Sequence, residues 1–146
     1  MKISDKLKSL IRDRDPLFVA VGNVFKNDDG VGVFIGKELE KAGKNALVVE
    51  MSVEKYVGKI NRIPHDLLVI IDAISFNKDP GYADIIPVSE ILDQTSNTHN
   101  LSLSHVAEFF EKPVFILGIQ PENVRIGENI TLAVKKSACK IIDILK

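Results

Sequence analysis

Residues 67–74 constrain the fold more than any other segment of this chain. Their sequence, LLVIIDAI, is a continuous apolar run that only Asp72 interrupts. An apolar run without alternating polar positions indicates a strand that is covered on both faces, as in a parallel sheet. We therefore expect a sheet that lies between two layers of helices.

Strand and helix patterns alternate along the rest of the sequence. Short apolar runs predict four further strands, over residues 17–22, 46–51, 82–88 and 113–118. Apolar residues at helical spacing predict helices over residues 31–39, 53–60, 103–110 and 130–145. The alternation predicts an α/β three-layer sandwich with a mostly parallel, twisted, five-stranded sheet and helices on both faces. The turn NKDPG is too short for a helical crossover, so we expect the strand after it to run antiparallel beside its neighbour.

Length and charge narrow the class of protein. The 146 residues suit a single domain, with a leader segment at residues 1–16 that can form a short helix and a body at residues 17–146. The formal net charge of −1 argues against a nucleic-acid surface, which needs a basic excess. Because no apolar run reaches membrane-spanning length and the leader is charged throughout, we expect a cytoplasmic protein without membrane insertion. We also expect it to be a monomer.

The cysteine content limits the chemistry further. Cys139 is the single cysteine, which excludes an internal disulfide and a cysteine-based zinc site. We expect its thiol to lie in the core or half-buried in the last helix. Ser102 and Ser104 lack the setting of a nucleophilic serine, so a hydrolase of this sequence would use an activated water.

Two adjacent carboxylates, Asp28 and Asp29, lie where the first predicted strand leads into a helix. The segment GNVFKNDDGVG lacks the lysine of a phosphate-binding loop and the glycine pattern of a dinucleotide site. An aspartate at this position can cap the helix. One cap needs only one aspartate, and the glycines at 30 and 32 leave the second carboxylate room to face outward.

Asp72 and His99 are the other candidates at the carboxyl edge of the sheet, where open α/β sheets bind ligands. Asp72 could cap the loop after its strand or project into a site, and an unpaired buried carboxylate would be costly. His99 could be a surface residue or a metal ligand. His65 precedes the central strand, at the wrong edge, and six residues separate His105 from His99, which puts them on different helix faces.

Asp29, Asp72 and His99 together could bind a metal ion from three separate loops. An imidazole among the ligands favours Zn, Ni or Fe over Ca or Mg. Three protein ligands leave coordination positions open for something else. Gln120 lies near the same edge, where it could contact a substrate or simply form the turn before Pro121.

Four segments resemble the hydrogenase maturation protease family, in order and from residue 17 onward. They are GNVFKNDDGVG, LLVIIDAISFNKDPG, THNLSL from Thr98 and LGIQPENV from Leu117. The last two most resemble the branch that serves formate-hydrogenlyase-type hydrogenases.

The resemblance implies an endopeptidase that removes the carboxyl-terminal peptide of a nickel-loaded NiFe hydrogenase large-subunit precursor. The acidic ligands of the family match Asp29 and Asp72, and its histidine matches His99. The implied cofactor is nickel, presented by the substrate, with other divalent metals able to substitute in the isolated protein. Asp29 or Asp72 could instead act as general base. The alternative is a non-catalytic metal-binding or chaperone module on the same fold.

Overall fold

The computed structural model describes the backbone of residues 1–94 and 100–146 and the side chains of residues 1–94 and 103–146. Five strands form the sheet: β1 Pro16–Val21, β2 Ala46–Glu50, β3 Leu67–Ala73, β4 Ala83–Pro87 and β5 Val114–Ile119. The helices are α1 Ile3–Ile11, α2 Val31–Lys41, α3 Val57–Arg62, α4 Ile91–Gln94, α5 Asn100–Val106 and α6 Leu132–Leu145. Each predicted strand is present to within a residue or so, whereas the short helix α4 was not predicted.

The strand order in the sheet is β2-β1-β3-β5-β4. All neighbouring strands are parallel except β4, which pairs antiparallel with β5. The antiparallel direction of β4 is therefore confirmed, but its neighbour is β5 and not β3, the strand that precedes it in the chain. The nine residues 74–82 between β3 and β4 are long enough to pass the end of the intervening strand.

Two apolar layers cover the two faces of the sheet and confirm the three-layer sandwich. Helices α1, α2 and α6 pack on one face, and α3, α4 and α5 pack on the other. Along β3 the side chains of Leu67, Val69 and Ile71 join the first layer. Leu68 and Ile70 join the second. The next position in that second series is Asp72, which directs its carboxylate to the α3–α5 side.

The leader segment contains α1, which packs on the body of the molecule. Leu7 is fully buried in the first layer. Lys6 Nζ forms an ion pair with Asp84 Oδ1 on the edge strand β4, at 2.6 Å. Among the described residues, no helix is both long enough and apolar enough to cross a bilayer.

Gly32 allows α2 to lie directly against the ends of β1 and β3. A Cβ atom at this position would collide with the carbonyl oxygens of Val21 and Ile71, both of which belong to rigid strands. We expect Gly32→Ala to lower the free energy of unfolding by about 1–3 kcal/mol through overpacking, as measured by urea denaturation. Gly58→Ala on α3 is the control, because its Cβ would meet only Arg62 Nη1 at 3.5 Å. Equal stability of the Gly32 variant and the wild type would contradict this close approach.

Candidate active site

A cavity of about 410 Å³ lies at the carboxyl edge of the sheet. Its walls come from the β1–α2 loop, the end of β2 with the turn after it, the end of β3, and Leu103 on α5. Among the side chains that the structure describes, four carboxylates line it, from Asp29, Glu50, Glu54 and Asp72, against one lysine, Lys26. A wall with this excess of negative charge favours a cationic ligand.

Asp72 contributes a buried carboxylate to this cavity. Its exposed fraction is 2%. The Ala73 backbone N–H donates a hydrogen bond to Asp72 Oδ1 at 2.8 Å. Burial raises the pKa of the Asp72 carboxyl well above its usual range, and the charge of Asp29 raises it further, against the lowering effect of the Ala73 N–H. A carboxyl with its pKa raised by burial and a like charge, inside a cavity, is typical of a functional site.

Asp29 lies in a single 3₁₀ turn, Asn27–Gly30, that leads directly into α2. Its carboxylate is half-buried and lines the same cavity as Asp72. The Asn23 backbone N–H donates a hydrogen bond to Asp29 Oδ2 at 3.0 Å, which fixes the carboxylate across the β1–α2 loop. The structure thus brings together Asp29 and Asp72, which are 43 positions apart in the sequence.

The capping interpretation of the two aspartates is wrong. Neither the 3₁₀ turn nor α2 has a side-chain cap, and the cap position of α2 is Gly30. The chain enters α2 from a turn that is already helical, and the Val31 N–H donates to the Asp28 backbone carbonyl in that turn rather than to a side chain.

Asp28 has a different role that the sequence did not reveal. It is fully buried and accepts four hydrogen bonds from a distant loop. Its donors are the Glu122 N–H at 2.9 Å, the Asn123 N–H at 3.1 Å, and the N–H and hydroxyl of Thr131, both at 2.7 Å. We call this set of bonds the Asp28 clamp. It ties the loop that carries Asp29 to the loop between β5 and α6, and the only signal for it was the doubled aspartate.

Gln120 stabilises the loop after β3. Its Oε1 accepts hydrogen bonds from the N–H groups of Phe76 at 2.6 Å and Lys78 at 3.3 Å. Its Nε2 donates to the Pro121 carbonyl at 3.3 Å. The side chain does not line the cavity, which favours the structural interpretation over contact with a substrate.

The three histidines have different positions. His65 precedes β3 at the amino edge of the sheet, as expected, and its Nδ1 lies 2.6 Å from the Ile63 carbonyl oxygen. His105 is exposed on α5. His99 lies outside the described residues, so its place in the site stays a prediction. Within residues 1–94 and 103–146, no three histidine, cysteine, aspartate or glutamate side chains group closely enough for a metal site.

The expectation for Cys139 is wrong, because its side chain is exposed on α6. The buried stripe of this helix runs through Val134, Ala138, Ile141 and Leu145. Cys139 is one position, or about 100°, beyond Ala138 and therefore leaves the stripe.

Comparisons with known proteins agree with the fold. Residues 36–146 match the HycI hydrogenase maturation protease family, a stretch that includes Asp72 and His99 but not Asp29. The hydrogenase 3 maturation protease of Escherichia coli is 28% identical over 126 residues, 82% of this chain and 81% of that protein. The crystal structure of HycI, a NiFe hydrogenase maturation protease of Thermococcus kodakarensis, is 27% identical, with a TM-score of 0.78 over 96% of this chain and 98% of that one. Another crystal structure of a hydrogenase 3 maturation protease is 26% identical, with a TM-score of 0.74 over 90% and 88% of the two chains.

The three-layer sandwich with an acidic cavity at the carboxyl edge of its sheet defines the class of protein as an α/β protein whose cavity favours a cationic ligand. More narrowly, the chain belongs to the hydrogenase maturation protease family, whose members are endopeptidases.

Proposed function

We propose that this protein removes the carboxyl-terminal peptide of a nickel-loaded NiFe hydrogenase large-subunit precursor and recognises the precursor through its nickel. The observation that carries the proposal is the placement of Asp29 and Asp72 in one cavity, where the charge of the first raises the pKa of the second. The E. coli and T. kodakarensis relatives named above are maturation proteases of hydrogenases.

Electrostatics explain how nickel can distinguish the substrate. Two carboxylates that face one cavity repel each other, and burial adds a desolvation cost to the charge of Asp72. A divalent cation between the two carboxylates offsets their repulsion and the desolvation cost of the Asp72 charge. Its binding displaces the proton that the raised pKa favours on Asp72. A precursor without nickel offers no such compensation and is expected to be spared.

His99 is the third proposed ligand. Its support comes from the sequence and from Leu103, which is four residues further along the chain and lines the cavity. A neutral imidazole beside two carboxylates suits nickel better than calcium or magnesium. In the isolated protein another divalent metal can substitute for the substrate's nickel.

The hydrolysis requires a water activated near the scissile carbonyl. The nickel of the substrate supplies Lewis acidity there. Asp29 or Asp72 accepts the proton of the attacking water. The proposal places this reaction in the cytoplasm. It assigns the reaction to a monomer, because one chain provides Asp29, Asp72 and His99.

The test incubates the native protein under reducing conditions with nickel-loaded precursor and, in parallel, with nickel-free precursor. Mass spectrometry then follows the loss of the carboxyl-terminal peptide. We expect cleavage of the loaded precursor alone. No cleavage of either form would leave a non-catalytic metal-binding module as the better function, and equal cleavage of both would contradict recognition through nickel.

Substitution of His99 tests the third ligand. We expect His99→Ala to reduce the processing rate about 100-fold or more, since even residues that only orient metal ligands are worth about 10–100-fold. His105→Ala is the matched control, because His105 is exposed on the adjacent helix, and it should process at the wild-type rate. Circular dichroism should show both variants folded. Normal processing by His99→Ala would remove this residue from the site.

A further inference from the structure

Three large apolar side chains are exposed on two neighbouring loops. Phe25, between β1 and α2, is 62% exposed, while Val124 and Ile126, between β5 and α6, are 47% and 90% exposed. We call these three side chains the paired-loop patch. The two loops that carry them are joined by a β-bridge between Lys26 and Gly127. Apolar groups exposed on adjoining segments mark interaction sites more often than scattered ones do.

The backbone beneath the patch is fixed by hydrogen bonds between the two loops. The Gly127 N–H donates to the Phe25 carbonyl, and the Asn27 N–H donates to the Gly127 carbonyl, both at 2.8 Å. The Asp28 clamp adds four side-chain bonds to the same pair of loops. A surface presented by such a constrained backbone loses little conformational entropy when it is covered.

The patch adjoins the candidate active site. Phe25 lies in the chain between Asn23 and Lys26, and both of these residues line the cavity, as does Asp29 on the same loop. A partner that covers Phe25 therefore contacts the loop that forms one wall of the cavity.

The size of the cavity shows that a protein substrate needs contacts outside it. A volume of about 410 Å³ is that of a small-molecule site. Stable recognition between two proteins buries roughly 800 Å² on each partner. A peptide segment in a cavity of this volume covers less than this area, so a folded substrate that binds with the strength of a stable complex also touches the surface around the cavity.

We propose that the paired-loop patch docks the folded body of the large-subunit precursor while its carboxyl-terminal segment lies in the cavity. This inference rests on the proposed function, because it takes the precursor as the substrate. The docking partner is an apolar surface of the precursor next to its nickel site. A second copy of this chain on the patch would stand at the opening that the precursor has to reach.

The test uses the double variant Phe25→Ser/Ile126→Ser in the processing assay with nickel-loaded precursor. We expect KM to rise about 10- to 100-fold, the range for loss of central apolar contacts at an interface, with kcat within about twofold of the wild type because neither side chain lines the cavity. The matched control is Leu92→Ser/Phe109→Ser, which removes two apolar side chains exposed to 48% and 68%. Phe109 precedes β5 and so lies toward the amino edge, away from the cavity.

Three results would overturn the docking surface. The first is an unchanged KM in the patch variant, and the second is an equal rise in KM in the control. The third is a wild-type dimer in sedimentation that the patch variant converts to monomer, which would assign the patch to a second copy. If the wild-type protein does not process loaded precursor at all, the proposed function fails instead, so the same assay separates the two failures.

Discussion

Asp72→Asn is expected to reduce precursor processing by about 100- to 10,000-fold, the range for loss of a general base, and loss of a nickel ligand acts in the same direction. The fold should survive, because the asparagine side chain has nearly the same volume and its oxygen can still accept the Ala73 N–H. The measurement is the rate of peptide release from nickel-loaded precursor. Normal processing by a folded Asp72→Asn variant would contradict the assignment of this residue.

The same substitution should change how stability depends on pH in the metal-free protein. The pKa of Asp72 is raised in the folded state, so the folded protein binds this proton more tightly than the unfolded chain, whose aspartate pKa is about 3.9. The contribution of Asp72 to the free energy of unfolding therefore falls as pH rises from about 3.9 through the raised folded value. Asparagine does not titrate and so removes this loss. At pH values above the raised folded-state pKa of Asp72, we expect the melting temperature of the Asp72→Asn variant to exceed that of the wild type.

Thermal unfolding across that pH range checks this expectation. Asp79→Asn is the control, because Asp79 is exposed. Its unfolding curve should follow that of the wild type at each pH. A variant at Asp72 that is less stable than the wild type at high pH would show that contacts of the charged carboxylate outweigh its burial.

Asp28→Ala is expected to lower the free energy of unfolding by about 4 kcal/mol, because it removes the acceptor of four hydrogen bonds worth about 1 kcal/mol each. The physical reason is that three backbone N–H groups and the Thr131 hydroxyl lose their common acceptor. Each of these part-buried donors that finds no new partner adds a cost of at most about 1–3 kcal/mol. Urea denaturation at neutral pH measures the change.

Thr131→Val provides a graded comparison within the Asp28 clamp. It removes only the hydroxyl donor and retains the Thr131 N–H bond to Asp28 Oδ1. We expect a loss of about 1 kcal/mol, the net value of a typical hydrogen bond. A loss for Asp28→Ala that is no larger than for Thr131→Val would show that the backbone donors find other partners.

Most of the fold was predictable because the signals are local. The run at residues 67–74 gave the buried central strand, and helical spacing located α2 and α6. The position of β4 beside β5 could not be found in this way. The position of β4 depends on which edge of the sheet is free after β5 has paired with β3. No local sequence pattern encodes this strand order.

The sequence predicted those parts of the candidate site whose position follows from the order of strands and loops. It did not predict the parts that depend on contacts between distant side chains. Residues after parallel strands meet at one edge of the sheet, which is why Asp29 and Asp72 could be expected in one place. The partners of Asp28 lie 94 to 103 positions away in the sequence, so its role was invisible beside a plausible helix cap. The placement of His99 stays a prediction.

The Asp28 clamp has a consequence for the order in which the molecule is completed during synthesis. Asp28 is made early, but its partners at positions 122, 123 and 131 are made 94 to 103 residues later. Ribosomes add about 5–20 residues per second and release the amino-terminal part first. A nascent chain therefore lacks the anchors for the Asp29 loop until residue 131 has emerged, so this loop is fixed only after all five strands of the sheet have been made.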